Sequence, residues 1–160
     1  MKNIAFIGVG VMGKSMVRNL NKAGYHITIF TRTKSKVNDL INEGIDWCNS
    51  IQECVQNKDI IMTMVGYPKD VEDIYYGNHG ILENAKENAI CIDFTTSAPA
   101  LAQKIYTDAK IRNIKSLDAP VSGGDIGAKN GTLSIMVGGD KNVYEDVYPL
   151  FQILGQTINY

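Results

Sequence analysis

With 160 residues, 44% of them hydrophobic, and a formal charge of -1, the chain has the size and composition of one globular domain that buries a core without disulfides or structural metals. That charge balance offers no basic stretch suited to nucleic acid, and no apolar run approaches the roughly 20 residues that span a bilayer. The sequence opens directly on a strand pattern instead of a secretion signal, so a cytoplasmic location is expected.

The apolar run Ile4 to Ile7 predicts a first strand. It ends in Gly8 to Ser15, GVGVMGKS, an octapeptide that satisfies two nucleotide-binding patterns at once. As the dinucleotide fingerprint G-x-G-x-x-G, it uses Gly8 for a tight turn, Gly10 for the approach of a pyrophosphate and Gly13 for close helix-strand packing. As the P-loop G-x-x-x-x-G-K-S, its N-H groups cradle a triphosphate while Lys14 reaches the outer phosphates and Ser15 holds magnesium. From Val11 the pattern turns helical, with Met12, Met16, Val17, Leu20 and Ala23 on one face, and Gly24 stops it. A second strand follows at His26 to Phe30, closing strand, loop, helix and strand within the roughly 30 residues of a βαβ unit.

A dinucleotide site makes a further demand at the end of that second strand, where the adenosine ribose is recognised. Thr31, Arg32 and Thr33 stand there, with no acid to accept from a free 2'-hydroxyl. Arg32, backed by Thr33, Lys34, Ser35 and Lys36, suits a 2'-phosphate instead, which favours NADP over NAD. Lys34 reads as a solvated turn residue, and Thr33 or Ser35 as the cap of a helix running to Ile41.

Further along come an extended piece at Asp46 to Cys48, a helix over Ile51 to Gln56 and a strong strand from Asp59 to Met64. Val65-Gly66-Tyr67-Pro68 then leads into a helix through Val71 and Tyr75. The strand Ala89 to Asp93 is followed by a hydroxyl-rich loop, with Ser97 expected to cap a helix from Pro99 to about Lys110. Asp93 is what a P-loop would need at a strand end to hold magnesium, but a buried strand ending in aspartate is common in α/β proteins. A strand at Lys115 to Leu117, a short helix, a strand at Leu133 to Val137, a helix from Asp140 and a last strand at Thr157 to Asn159 complete the pattern. Gly138-Gly139 is expected to serve as a backbone turn. Such alternation predicts an α/β, Rossmann-type doubly wound fold, a mainly parallel sheet in a single domain, with ligands at the carboxyl ends of the strands.

Ser122-Gly123-Gly124 follows a strand and opens a helix. It is either a cradle for a carboxylate, with one hydroxyl and several free N-H groups, or a plain structural turn. Cys48, Cys54 and Cys91 form no C-x-x-C pair and read as reduced core residues, so no metal site is expected. His26 and His79 lack flanking acids and are read as structural.

The segments GVGVMGKSM, DFTTSAP, DAPVSGG and GTLSIMVGGD occur in this order between residues 8 and 140. In them it resembles the N-terminal domain of the β-hydroxyacid dehydrogenase family, which includes 3-hydroxyisobutyrate dehydrogenase and glyoxylate reductases. The resemblance implies that Gly8, Val9, Gly10, Val11, Met12 and Gly13 hold the cofactor pyrophosphate. It also implies that Met64 and Val65 line the nicotinamide side, that Thr96 lies near the nicotinamide ribose, and that Ser122, Gly123 and Gly124 hold the carboxylate of a small substrate. Thr31 and Arg32 stand where NAD-preferring members often have an acid, in line with NADP, NAD being the alternative. Lys14 becomes a solvent-facing helix residue. The family's proton-transferring lysine belongs to a second, all-helical domain and is expected beyond Tyr160, so no catalytic residue is expected within residues 1–160, and that helical domain is the expected partner. The resemblance leaves the full-length protein open to homo-oligomer formation, which in this family depends mainly on the helical domain. Imine reductases share this domain type, and a freestanding, non-catalytic nucleotide-binding module is the remaining alternative.

Overall fold

The structure, a computed structural model, describes residues 2–160. Its strands in chain order are β1 (Asn3–Ile7), β2 (His26–Phe30), β3 (Asp46–Trp47), β4 (Ile60–Thr63), β5 (Ile90–Asp93), β6 (Lys115–Asp118), β7 (Val121–Ser122), β8 (Leu133–Met136), β9 (Gly138–Gly139) and β10 (Gly155–Asn159). The helices are α1 (Val11–Lys22), α2 (Asn38–Asn42), α3 (Ile51–Val55), α4 (Pro68–Tyr75), α5 (Ile81–Asn84), α6 (Pro99–Ile111), α7 (Gly124–Asn130) and α8 (Lys141–Leu154).

Strand residues alternate between two apolar layers, which is what places helices on both faces. Ile4 and Phe6 of β1, Ile60 and Met62 of β4, and Ile90 and Ile92 of β5 share one core with Met16, Val17 and Leu20 of α1 and Val147, Leu150 and Phe151 of α8. Their neighbours Ala5, Ile7, Ile61 and Cys91 share the other with Val71 and Tyr75 of α4 and Ile105 and Ala109 of α6. The main sheet has seven strands in the order β3-β2-β1-β4-β5-β6-β9. All its pairings are parallel except that of β9 with β6. The chain runs outward from β1 to β3, then returns to place β4 on the other side of β1, so the winding reverses beside β1. An α/β sheet opens a crevice at that point. The doubly wound, mainly parallel fold expected from the sequence is thus the one formed.

Several local expectations differ. The segment 133–137 and the C-terminal strand do not join the main sheet; β8 pairs with β10 in parallel and with β7 antiparallel to make a second, three-stranded sheet. Gly138-Gly139 is not merely a turn. As β9 it pairs Gly138 with Asp118 and Gly139 with Leu117, closing the edge of the main sheet. The two-glycine strand carries no side-chain periodicity, so its pairing left no trace in the pattern. The helix after β2 begins as a 3-10 turn at Lys34–Val37; Thr33, one of the two expected cap residues, stands at its cap position but makes no side-chain cap bond. Ala98, not Ser97, is the cap residue of α6, and the Ser97 hydroxyl donates to the Ala98 carbonyl at 3.4 Å instead. The short helix α5, a single turn, has no counterpart among the elements expected from the sequence. Among the described residues no helix is long and apolar enough to cross a membrane.

Gly139 has φ +137, and a Cβ there would lie 2.7 Å from Leu117 Cδ2 and 3.0 Å from the Ser116 carbonyl oxygen. A Gly139→Ala variant is expected to lose about 2 kcal/mol of stability through backbone strain and the broken β6–β9 pairing, measured by urea denaturation.

Candidate functional site

The three glycines of the octapeptide do different work. Gly8 has φ +86, and a Cβ on it would stand 2.3 Å from the Met64 carbonyl oxygen, so only glycine lets β1 exit beneath the end of β4. Its N-H donates to the Phe30 carbonyl at 2.9 Å, and the Met64 N-H donates to the Ile7 carbonyl at 3.0 Å, which ties the ends of β1, β2 and β4 together. At Gly13 a Cβ would meet the Gly8 carbonyl oxygen at 3.2 Å and Phe6 Cε1 at 3.3 Å, so this glycine allows α1 to pack against β1. Gly10 is the contrary case: nothing lies within 4 Å of its Cβ position. It is the cap residue of α1, with no side-chain cap bond and no acid in the helix's first turn. The helix therefore presents free N-H groups and the positive end of its dipole to open space, the requirement for holding an anion.

That space is a cleft of about 780 Å³ at the carboxyl ends of the strands. Residues 8–13, Thr31, Arg32, Thr33, Met64 and Val65 all line it. Of the cofactor residues expected from the sequence, Thr96 alone is outside this lining; it sits exposed on the loop after β5. Ser122, Gly123 and Gly124 are exposed at the junction of β7 and α7, also outside the lining, while Asp125 of α7 reaches it. A smaller hollow of about 220 Å³ beside Lys115 and Asp140 lies at the opposite ends of the strands, away from the glycine turn.

Charge in the cleft is mixed. Lys36 joins Arg32 near the tip of β2, and Asp70 and Asp73 of α4 face them from the other wall. Arg32 Nη2 reaches Asp70 Oδ1 at 3.3 Å. Asp70 was missed in the sequence, although an acid two residues after Pro68, in the first turn of a helix, is a known helix-start signal. Lys34 is elsewhere, with its ammonium 5.8 Å from the centre of the Trp47 ring. Lys14 is not left to solvent as expected. Its ammonium lies 3.1 Å from Asp39, and Arg18 bonds both Asp39 at 2.9 Å and Glu43 at 2.7 Å, fastening α1 to α2. The hydrogen bond from Lys14 holds the Asp39 carboxyl below the usual carboxylate range, and that from Arg18 does the same for Glu43.

Beyond Met64 a buried polar chain links two strand exits. Thr63 Oγ1 donates to Asp93 Oδ1 at 2.9 Å, and the Thr95 N-H donates to the same oxygen at 3.1 Å. Thr95 Oγ1 in turn accepts from the Val65 N-H at 3.0 Å. Asp93 is 6% exposed. Its carboxylate serves this network, two strands away from β1, and so is not directed at Ser15 as a P-loop would need. Asp118 stands beside Asp93 in the register of β5 and β6. Burial, and secondarily the charge of Asp93, push the Asp118 carboxyl up to about 6.

The remaining candidates are structural. Cys48, Cys54 and Cys91 are free and buried. His26 does have an acidic partner, supplied across the sheet: its Nε2 is 2.6 Å from Asp46 Oδ2. His79 Nδ1 is 2.9 Å from Gln52 Oε1. Among the described residues no group of three or more His, Cys, Asp or Glu side chains is placed to hold a metal ion.

Asp118 binds its proton more tightly in the folded chain than in the unfolded one, where the ordinary value is about 3.9. Its contribution to stability therefore falls as pH rises from about 4 to about 6. Asp118→Asn is expected to stabilise the chain at pH 7 by roughly 1 kcal/mol, after allowance for solvent screening, and to give no gain at pH 4. Urea denaturation of both proteins at the two pH values checks this.

Residues 3–160 match the family model described as the NAD binding domain of 6-phosphogluconate dehydrogenase. Over 159 residues the chain is 51% identical to the uncharacterized oxidoreductase YkwC of Bacillus subtilis, an alignment covering 99% of the chain and 55% of that protein. It is 40% identical over 158 residues to the NAD-dependent L-serine dehydrogenase of Pseudomonas aeruginosa, covering 99% of the chain and 53% of that protein. Among solved structures, Psf3 in complex with NADP+ and 2-OPP superposes with a TM-score of 0.93 at 28% identity, over 98% of the chain and 56% of Psf3. Mycobacterium tuberculosis 3-hydroxyisobutyrate dehydrogenase with L-serine gives 0.92 at 31% identity, over 99% of the chain and 53% of that protein. The chain thus spans about half the length of the curated relatives it matches.

Proposed function

The chain belongs to the family of the NAD-binding domain of 6-phosphogluconate dehydrogenase, and from that premise we propose that it is the cofactor-binding part of an NADP-dependent oxidoreductase. In this reading the whole protein transfers hydride between NADP(H) and a small β-hydroxy acid or its oxo or semialdehyde counterpart. The observation that carries it is the empty space at Gly10, where a Cβ would meet no protein atom although Gly8 and Gly13 are tightly packed. A glycine spared a side chain for no internal reason, at an uncapped helix start, leaves room for a ligand's phosphates.

The residues present fit a dinucleotide. Gly8, Val9, Gly10, Val11, Met12 and Gly13 would hold the pyrophosphate through backbone N-H groups. Thr31, Arg32 and Thr33 would take the adenosine ribose, with Arg32 on the 2'-phosphate. Met64 and Val65 would line the nicotinamide side, held in place by the Val65 to Thr95 hydrogen bond, and Thr96 would lie near the nicotinamide ribose. Ser122, Gly123 and Gly124 would hold the substrate carboxylate, an assignment supported by their exposed position ahead of α7. When bound, the reduced nicotinamide supplies a hydride. Reduction of a carbonyl also requires a proton, and we assign its donor to a lysine outside residues 1–160; absence of a general acid typically lowers the rate by about 10²- to 10⁴-fold.

NADP is favoured over NAD by the arginine at the tip of β2 and by the absence of an acid on that tip; the NADP+ complex of Psf3 supports the same choice, while the NAD-dependent L-serine dehydrogenase marks the alternative. A small β-hydroxy acid is favoured by the likeness to 3-hydroxyisobutyrate dehydrogenase with L-serine.

Gly10→Val tests the site with little effect on the fold. Its φ lies outside the left-handed region and a Cβ there would enter open space, so the loss of stability is expected to stay at about 1 kcal/mol, that of valine replacing glycine at a helix cap. NADPH affinity, measured by calorimetry, is expected to drop by at least about tenfold, since the valine would occupy the position of the pyrophosphate. The parent chain itself is expected to bind NADPH about tenfold more tightly than NADH, the worth of one charge-assisted hydrogen bond to Arg32.

A further inference from the structure

The adenosine end of the cleft is crossed by an ion pair whose two halves are held very differently. Arg32 is 78% exposed, and its bond to Asp70 Oδ1 is long at 3.3 Å. Asp70 is 25% exposed and anchored, because its other oxygen accepts from the Tyr67 N-H at 3.0 Å in the first turn of α4. The carboxylate is a fixed feature of the helix start, while the guanidinium is carried on a flexible stem that can leave it. Asp73 lines the same wall but has its own cation, Lys69, at 2.9 Å. Asp70 is thus the cleft carboxylate in contact with Arg32 of the β2 tip, the tip at which dinucleotide sites selective for a free ribose carry an acid.

We infer that Asp70 is a specificity-determining residue for the cofactor's 2'-position, supplying from across the cleft the carboxylate that the tip of β2 lacks. This rests on the reading of Arg32 as the 2'-phosphate ligand. A ribose 2'-hydroxyl leaves the pair intact and can donate to Asp70. A 2'-phosphate, carrying up to about two negative charges, draws Arg32 away and places itself beside Asp70 with its charge uncompensated. Asp70 therefore moderates the preference for NADP that Arg32 creates and leaves the site open to NAD.

The test is calorimetric titration of the chain, Asp70→Asn and Arg32→Ala with NADPH and with NADH, at low and high salt. Asparagine keeps an acceptor for the Tyr67 N-H, so the start of α4 is retained and the change is one of charge. The ratio of NADPH to NADH affinity is expected to rise about three- to fivefold in Asp70→Asn, with the gain shrinking at high salt, and to fall in Arg32→Ala. If Arg32→Ala lowers the ratio but Asp70→Asn leaves it unchanged, lowers it, or weakens both cofactors equally, the reading of Arg32 stands and the role of Asp70 is overturned. If Arg32→Ala leaves the ratio unchanged, both fail together.

Discussion

The crowding of three strand ends at Gly8 is the constraint on which the rest of the molecule depends. There the chain leaves β1 with a positive φ, bonds its N-H to the end of β2 and passes so close to Met64 that a single methyl group would collide with backbone. Because the exits of β1, β2 and β4 are joined at that point, the start of α1, the tip of β2 and the loop after β4 surround one cleft instead of diverging. The parallel sheet supplies the framework, and the twofold winding about β1 leaves the gap.

Electrostatics then divides that cleft into regions. One part is the uncapped start of α1, positive by virtue of its dipole alone. The part of the cleft at the tip of β2 holds cations and carboxylates together, Arg32 and Lys36 with Asp70 and Asp73. Outside the cleft lining, toward β5, buried Asp93 and half-buried Asp118 lie in register on adjacent strands, and each is pushed toward its neutral form by burial. Asp93 keeps its place by accepting from Thr63 and Thr95, and through Thr95 it fixes Val65 at the edge of the cleft. Ion pairs elsewhere are fastenings. Lys14 pairs with Asp39, and Arg18 with Asp39 and Glu43, so the lysine of the P-loop pattern is turned toward α2 in this structure.

What could be read in the sequence is what repeats or what is local. Strands β1, β4 and β5 announce themselves as short apolar runs and β2 by its alternating isoleucines, and the glycine turn because its spacing is rigid. The same octapeptide could not by itself separate a dinucleotide turn from a P-loop, since both need a strand, a bend and a helix start; the difference lies in Arg32 and in the commitments of Lys14 and Asp93. Pairings between distant segments were hidden. Asp70 meets Arg32 across 38 residues, and Thr95 meets Val65 across 30. The edge strand β9 was hidden for another reason, having only two glycines and thus no side chains to form a pattern. Ser97 looked like a cap by composition, yet its hydroxyl turns to the Ala98 carbonyl.

The central claim is that GVGVMGKS works here as a dinucleotide turn. Titration of the isotopically labelled chain with NADPH, and separately with magnesium and ATP, followed by the amide resonances of every residue, tests it most directly. NADPH is expected to shift the amides of Gly10, Val11 and Met12 together with those of Thr31, Arg32 and Val65, at concentrations where magnesium-ATP moves none of them. Shifts at Gly13, Lys14 and Ser15 with magnesium-ATP, and an unmoved β2 tip with NADPH, would contradict it.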